Sequence, residues 1–139
     1  MKNYSRQREA VLKVLVNTDI HPTAAWIYEQ VRAEIKNISL GTVYRNLSGL
    51  CEDGTIRKLS FGDTSDHFDG DMTSHSHFYC EHCGEITDIW LDQSKLLGPI
   101  ESDYNVKARY ADFNIIGKCS KCSNKDNERK LLKIRRYLL

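Results

Sequence analysis

Two Cys-x-x-Cys pairs, Cys80/Cys83 and Cys119/Cys122, constrain this chain more than any other feature. Each short turn presents two sulfurs to one point, and Gly84 lets the first turn close. Thiolates are soft ligands, and four of them in a tetrahedron make a closed structural zinc site. The pairs are separated by the 35 residues 84–118, more than the ~15–20 of a compact zinc ribbon. A helix and a strand must therefore sit between the two halves. Two unrelated thiol pairs, or redox-active dithiols, are the competing reading. In a cytosolic chain disulfides are disfavoured, and paired cysteines more often bind metal or do redox work. Cys51 stands apart and reads as a small buried residue of a helix.

The 139 residues suffice for one compact domain or two very small ones. No run approaches the roughly 18 apolar residues of a membrane span. The start, Met1-Lys2-Asn3-Tyr4-Ser5-Arg6, lacks the apolar stretch of a signal peptide. The expectation is a cytoplasmic protein with no membrane partner. Net charge is +1, but residues 1–58 carry nine Lys/Arg against six Asp/Glu, residues 59–118 four against eleven, and residues 119–139 seven against two. A basic front and an acidic middle suggest two modules with different partners, unless surface charge simply fluctuates along the chain.

In the front module, Ser5 is placed to cap a helix running to about Asn17, with Val11, Leu12, Leu15 and Val16 on one face. Thr23 is a good cap for a second helix, lined by Trp26, Ile27, Val31 and Ile35. Ser39 caps a third, Leu40 to about Asp53, with Val43, Leu47 and Leu50 as its stripe and Gly54 as its stop. A strand pattern over residues 55–61, a Gly62-Asp63 turn and a return strand from His67-Phe68-Asp69 follow. Three short helices and a hairpin are the parts of a winged helix-turn-helix. Its third helix would enter a DNA major groove, presenting Ser39, Thr42, Tyr44, Arg45 and Ser48. Arginine can read guanine, while hydroxyls can hold phosphate. An ordinary polar face on a small helical bundle is the alternative.

The back module opens on His75-Ser76-His77-Phe78-Tyr79-Cys80-Glu81-His82-Cys83-Gly84, followed by a strand over residues 85–90. A helix from Asp92 to Asp103 should break or kink at Gly98-Pro99. A strand from Val106 to Gly117 should precede the second cysteine pair. His75 and His77 alternate along a strand, so both imidazoles face one side. Asp69 lies just upstream and Asp88 on the adjoining strand. Nitrogen and carboxylate donors without sulfur suit Fe(II), Mn(II) or Zn(II). His82 reads as solvent-exposed, and His67 as a wing residue.

Taken together, these motifs resemble the ferric uptake regulator family. The carriers are His21-Pro22-Thr23-Ala24 with Ile27-Tyr28, then Ile38-Ser39-Leu40-Gly41-Thr42-Val43-Tyr44-Arg45-Asn46-Leu47, with Gly41 where Ala is usual. His75-x-His77-x-x-Cys80-x-x-Cys83-Gly84 and Cys119-x-x-Cys122 complete the match, which runs from about Ser5 to Cys122. The resemblance implies an α+β protein: a winged helix-turn-helix DNA-binding domain (1–68), a hinge (69–74), and an α/β dimerisation and metal-binding domain (75–139) with the four-cysteine zinc site. It implies a homodimer that represses genes from a pseudo-palindromic operator when a regulatory Fe2+ or Mn2+ is bound. It assigns that metal to His21, Asp69, His75, His77 and Asp88, and places Arg8 at the DNA with Ser39, Thr42, Tyr44 and Arg45.

Asp at 69 and at 88 resembles the peroxide-sensing branch, whereas iron-sensing members typically carry Glu at the position of Asp88. That branch implies oxidation of ligand histidines, here His21 and His75. An iron, zinc or manganese uptake regulator is the alternative within the family. A small mononuclear His/Asp metalloenzyme is the alternative outside it, although no further general acid or base accompanies the ligands. A plain zinc-stabilised dimerisation module would leave His21 unexplained.

The chain also departs from the family. Only four residues precede Ser5, where relatives usually carry a short extra helix. The stretch Ala111-Asp112-Phe113-Asn114-Ile115-Ile116-Gly117-Lys118-Cys119 lacks the His and Glu that build an additional metal site in some relatives. The basic tail from Asn124 is expected to form an amphipathic helix through Leu131, Leu132, Ile134 and Leu138 that packs on the dimer. A phosphate contact is the competing reading.

Overall fold

The structure is a computed structural model that describes residues 2–62 and 65–138. The chain divides into two compact units, one ending at Thr73 and the other beginning at Ser74. Half of the Gly62-Asp63 turn, Asp63, lies outside the described residues.

In the first unit, α1 spans Lys2–Val16, α2 Ala24–Val31 and α3 Leu40–Glu52. Ser5 is inside α1 rather than at its cap, because nothing in the preceding residues breaks a helix. Thr23 and Ser39 do cap their helices: their hydroxyls accept from Trp26 N at 3.3 Å and Thr42 N at 3.1 Å. α2 is shorter than its apolar pattern suggests. Ile35 packs from the turn that follows, its N–H bonded to Val31 O at 2.8 Å. Val11, Leu15, Ile27, Val31, Val43, Leu47, Leu50, Ile56 and Phe68 fill one core, while Val16 faces solvent. Each such buried side chain contributes roughly 1.5–3 kcal/mol. Strands β1 (Arg57–Leu59) and β2 (His67–Asp69) pair antiparallel as the wing.

Asp53 closes α3. It accepts from Thr55 N at 3.0 Å and is ion-paired with Arg8 of α1. The Thr55 hydrogen bonds, then Arg8, hold its carboxyl down at about 2, against an ordinary value of 3.8. A carboxyl lowered by folding stabilises fully above its unfolded value and loses that contribution as pH falls toward its folded value. Asp53→Asn should therefore flatten the fall in stability between about pH 4 and pH 2 in acid-titrated thermal melts. Equal slopes would show the pairing to be absent in solution.

In the second unit, β3 (Ser76–Cys80) is the central strand, with β4 (Ile86–Ile89) antiparallel on one side and β5 (Asn114–Gly117) parallel on the other. A parallel pair needs a crossover, which α4 (Gln93–Tyr104) supplies. Gly98-Pro99 does not break α4, which runs through Pro99. Proline removes one N–H, leaving the carbonyl of Lys95 without its helical donor. Lys95 is exposed, so water can serve that carbonyl. The last strand is far shorter than the residue 106–117 pattern. Glu101 Oε1 accepts from Ala108 N at 3.0 Å, and Gln93 donates to Ala111 O at 2.9 Å, so side chains rather than a strand ladder satisfy this backbone. The tail forms α5 (Ser120–Leu138), with Leu131, Leu132, Ile134 and Leu138 exposed.

Candidate metal centres

The two cysteine turns meet at one end of the second unit's sheet. Cys80 ends β3, and Gly84 takes a positive φ of 79° so that its N–H returns to Cys80 O at 2.8 Å. Gly117 ends β5 beside Cys80 and admits the Phe78 ring, 3.5 Å from where a Cβ would stand. The second pair follows directly.

The four sulfurs lie within 4.8 Å of one another, Cys83 Sγ and Cys119 Sγ being 3.8 Å apart. Sulfurs bound at about 2.3 Å around a tetrahedral ion would sit about 3.8 Å apart. N–H groups of Cys119 and Cys83 point at Cys80 Sγ from 3.4 and 3.5 Å and lower that thiol to about 6. Burial, then the neighbouring thiols, push Cys122 up to about 12. Four thiols this close resist ionising together, and a dication removes that conflict. The residues fit zinc, and the set is a structural zinc site.

A second donor set stands on β3 and β4 of the same unit. His77 is directly opposite Asp88 in the strand register. His75 Nε2 and His77 Nε2 lie 3.4 and 3.5 Å from Asp88 Oδ1, and both imidazoles are fully buried. Ligands about 2.1 Å from a shared ion stand about 3.0–3.5 Å apart, so this trio fits a divalent metal. Trp90, two residues beyond Asp88, stacks on His75 at 4.7 Å between ring centroids. Sequence reasoning passed over Trp90, although its even spacing from Asp88 along the strand was a usable signal.

In the first unit, His21 Nε2 lies 3.8 Å from Asp69 Oδ2, both side chains being buried. Asp69 also accepts from Asp71 N at 2.8 Å and lies 3.9 Å from Arg57 Nε. The five histidine and aspartate residues singled out by sequence thus form a pair in one unit and a trio in the other. His82 plays no part in either set.

A profile of the ferric uptake regulator family matches residues 2–115. The chain belongs to that family. It is 38% identical over 124 residues to the peroxide operon regulator of Bacillus subtilis, covering 87% of this chain and 84% of that protein. Among solved structures it resembles the Helicobacter pylori ferric uptake regulator Fur, with a TM-score of 0.79 and 26% identity over 85% of this chain and 80% of the other. It also resembles the Campylobacter jejuni peroxide stress regulator, with a TM-score of 0.72 and 28% identity over 86% and 91%.

In this member of the family the third helix presents the expected polar face. Tyr44, Arg45 and Ser48 are exposed. Ser39 Oγ and Thr42 Oγ1 are 2.9 Å apart, and Arg45 Nη2 donates to Thr42 Oγ1 at 2.9 Å. A Cβ at Gly41 would make ordinary contact with Arg45 Nη1, at 3.5 Å. Arg8 is engaged with Asp53 at the far end of the same helix.

Proposed function

We propose that this protein is a metal-dependent transcriptional repressor that senses peroxide, acting on DNA as a homodimer in the cytosol and not as an enzyme. The observation that carries the reading is the thiol-free trio, in which two buried imidazoles share the carboxylate of Asp88. His21 and Asp69 complete the ligand set, residues 69–74 serving as the hinge between a DNA-binding domain and a dimerisation domain. The peroxide regulators of Bacillus subtilis and Campylobacter jejuni support the branch. Fe(II) held by this set would supply one-electron reduction of hydrogen peroxide, with His21 and His75 as the ligand residues that oxidation would reach. Mn2+ suits the same donors without that chemistry.

Dimer formation draws support from the apolar surface of the second unit. Leu96, Ile100 and Tyr104 recur along α4, and Ile115 and Ile116 of the edge strand β5 are also exposed. No described helix is long and apolar enough to cross a membrane. Ser39, Thr42, Tyr44, Arg45 and Arg8 are the DNA contacts, and a two-fold dimer requires a pseudo-palindromic site.

With an operator selected from a random-sequence pool, the Mn(II)-loaded protein should shift the DNA and release it on chelation. Arg45→Ala should weaken specific binding by roughly 1–3 kcal/mol and relax one base position. Binding unchanged by chelation would refute metal dependence. Equal losses on specific and random DNA would make Arg45 a phosphate contact only. The likeness to the Helicobacter pylori Fur favours a second reading, a metal uptake regulator, which would release DNA on chelation yet ignore peroxide.

A further inference from the structure

The segment that carries His21 is stitched to the wing. His67 Nδ1 lies 2.6 Å from the carbonyl oxygen of His21. A carbonyl only accepts, so Nδ1 carries the proton and donates it there. One residue on, Phe68 N–H donates to Pro22 O at 2.9 Å, and Thr23 forms an isolated antiparallel bridge with His67. Strand β2 therefore has β1 on one side and residues 21–23 on the other. The same three-residue strand ends in Asp69, whose Oδ2 lies 3.8 Å from His21 Nε2. The half-buried His67 ring packs edge-on against buried Phe61, at 6.4 Å between ring centroids.

We propose that His67 is a positioning residue for the His21/Asp69 pair, and that through it the return strand of the wing is part of the metal-binding apparatus. The inference rests on His21 and Asp69 being metal ligands. His21 precedes a proline, which biases its backbone to extended conformations but leaves a range of ψ open. Fixing its carbonyl oxygen narrows that range and delivers the imidazole to the carboxylate on the strand that holds it. The exposed Ile20 just upstream adds no packing on that side. Outer-shell partners of metal ligands typically set affinity by 10–100-fold when removed. Metal bound to the pair in turn holds β2 in place, and with it the hairpin flanking the recognition helix.

The test is Mn(II) titration of the full-length, zinc-loaded protein, following free Mn(II) by electron paramagnetic resonance. His67→Phe keeps the ring packing against Phe61 but removes the donor, and should weaken Mn(II) binding by about 10–100-fold. His67→Asn places an amide N–H near the position of Nδ1 and should restore affinity close to the parent protein. His67→Gln places its amide nearer to Nε2 and should not. Parent affinity in His67→Phe, or an Asn variant as weak as Phe, would overturn the proposal. Should His67→Phe melt too early to titrate, equal affinities for the Asn and Gln variants would overturn it. Asp69→Ala separates the two levels: no loss there refutes the ligand assignment itself, whereas a loss there with unchanged His67→Phe refutes only the role of His67.

Discussion

Cys119→Ser should unfold the second unit while leaving the first intact. Among the described residues, the buried apolar side chains beyond Ser74 are Tyr79, Cys80 and Cys122, and two of these three are zinc ligands. The first unit has its own core of α1–α3 and β1–β2 side chains, which needs no metal. Structural zinc contributes an apparent ~10–16 kcal/mol in zinc-finger peptides at neutral pH. That is as large as the whole stability of a typical domain, about 5–15 kcal/mol. Cys119 also ties the end of β5 to the end of β3 through its backbone N–H, which donates to Cys80 Sγ at 3.4 Å. In the variant, zinc should fall well below one ion per chain, the dimer should dissociate, and limited proteolysis should leave a resistant fragment ending near Thr73. A folded, dimeric, zinc-depleted variant would show that the sheet stands without its metal.

The second large effect concerns reactivity. Fe(II)-loaded protein exposed to dilute peroxide should gain one oxygen atom on a peptide holding His21 or His75, and lose its DNA. Mn(II)- and Zn(II)-loaded protein should remain unmodified and bound. Asp88→Glu should preserve metal-dependent DNA binding but blunt the peroxide response. The carboxylate of Asp88 meets both imidazoles from directly across the β3–β4 pair. An added methylene would move the carboxylate about 1.5 Å, displacing it from the two imidazoles that it meets. Mass spectrometry of the peptides and a gel shift of the same samples read both outcomes. An iron form that stays unmodified yet releases DNA on chelation would place the protein among the metal uptake regulators.

Features with local causes were legible from the sequence. Thr23 and Ser39 cap helices because a short hydroxyl satisfies an N–H three residues on, whatever the surrounding fold. The paired Cys-x-x-Cys spacing announces four convergent sulfurs, and the structure brings them together. His75, His77 and Asp88 were legible because strand alternation and a hairpin register are short-range geometry. Pro99 does not end its helix, because the cost of proline depends on whether its orphaned carbonyl reaches water, which local sequence does not encode. The stretch 106–111 misled for a related reason: Glu101 and Gln93, which bond its backbone at Ala108 and Ala111, lie on the preceding helix. His67 was assigned correctly to the wing, but its bond to the His21 carbonyl spans 46 residues and has no signature in the sequence.

The parallel pairing of β3 with β5 has a consequence for biosynthesis. Cys83 leaves the ribosome 36 residues ahead of Cys119, an interval of about 2–7 s at translation rates of 5–20 residues per second. Throughout it the central strand has one neighbour and the first thiol pair lacks the second. A single Cys-x-x-Cys turn offers zinc two of the four sulfurs that a closed site needs. It therefore captures zinc less readily until the crossover is made. Oxidants that meet the nascent chain in that window find a bare dithiol, whereas the completed protein offers them four metal-bound sulfurs. Newly made molecules are thus the population whose cysteines oxidants reach most readily.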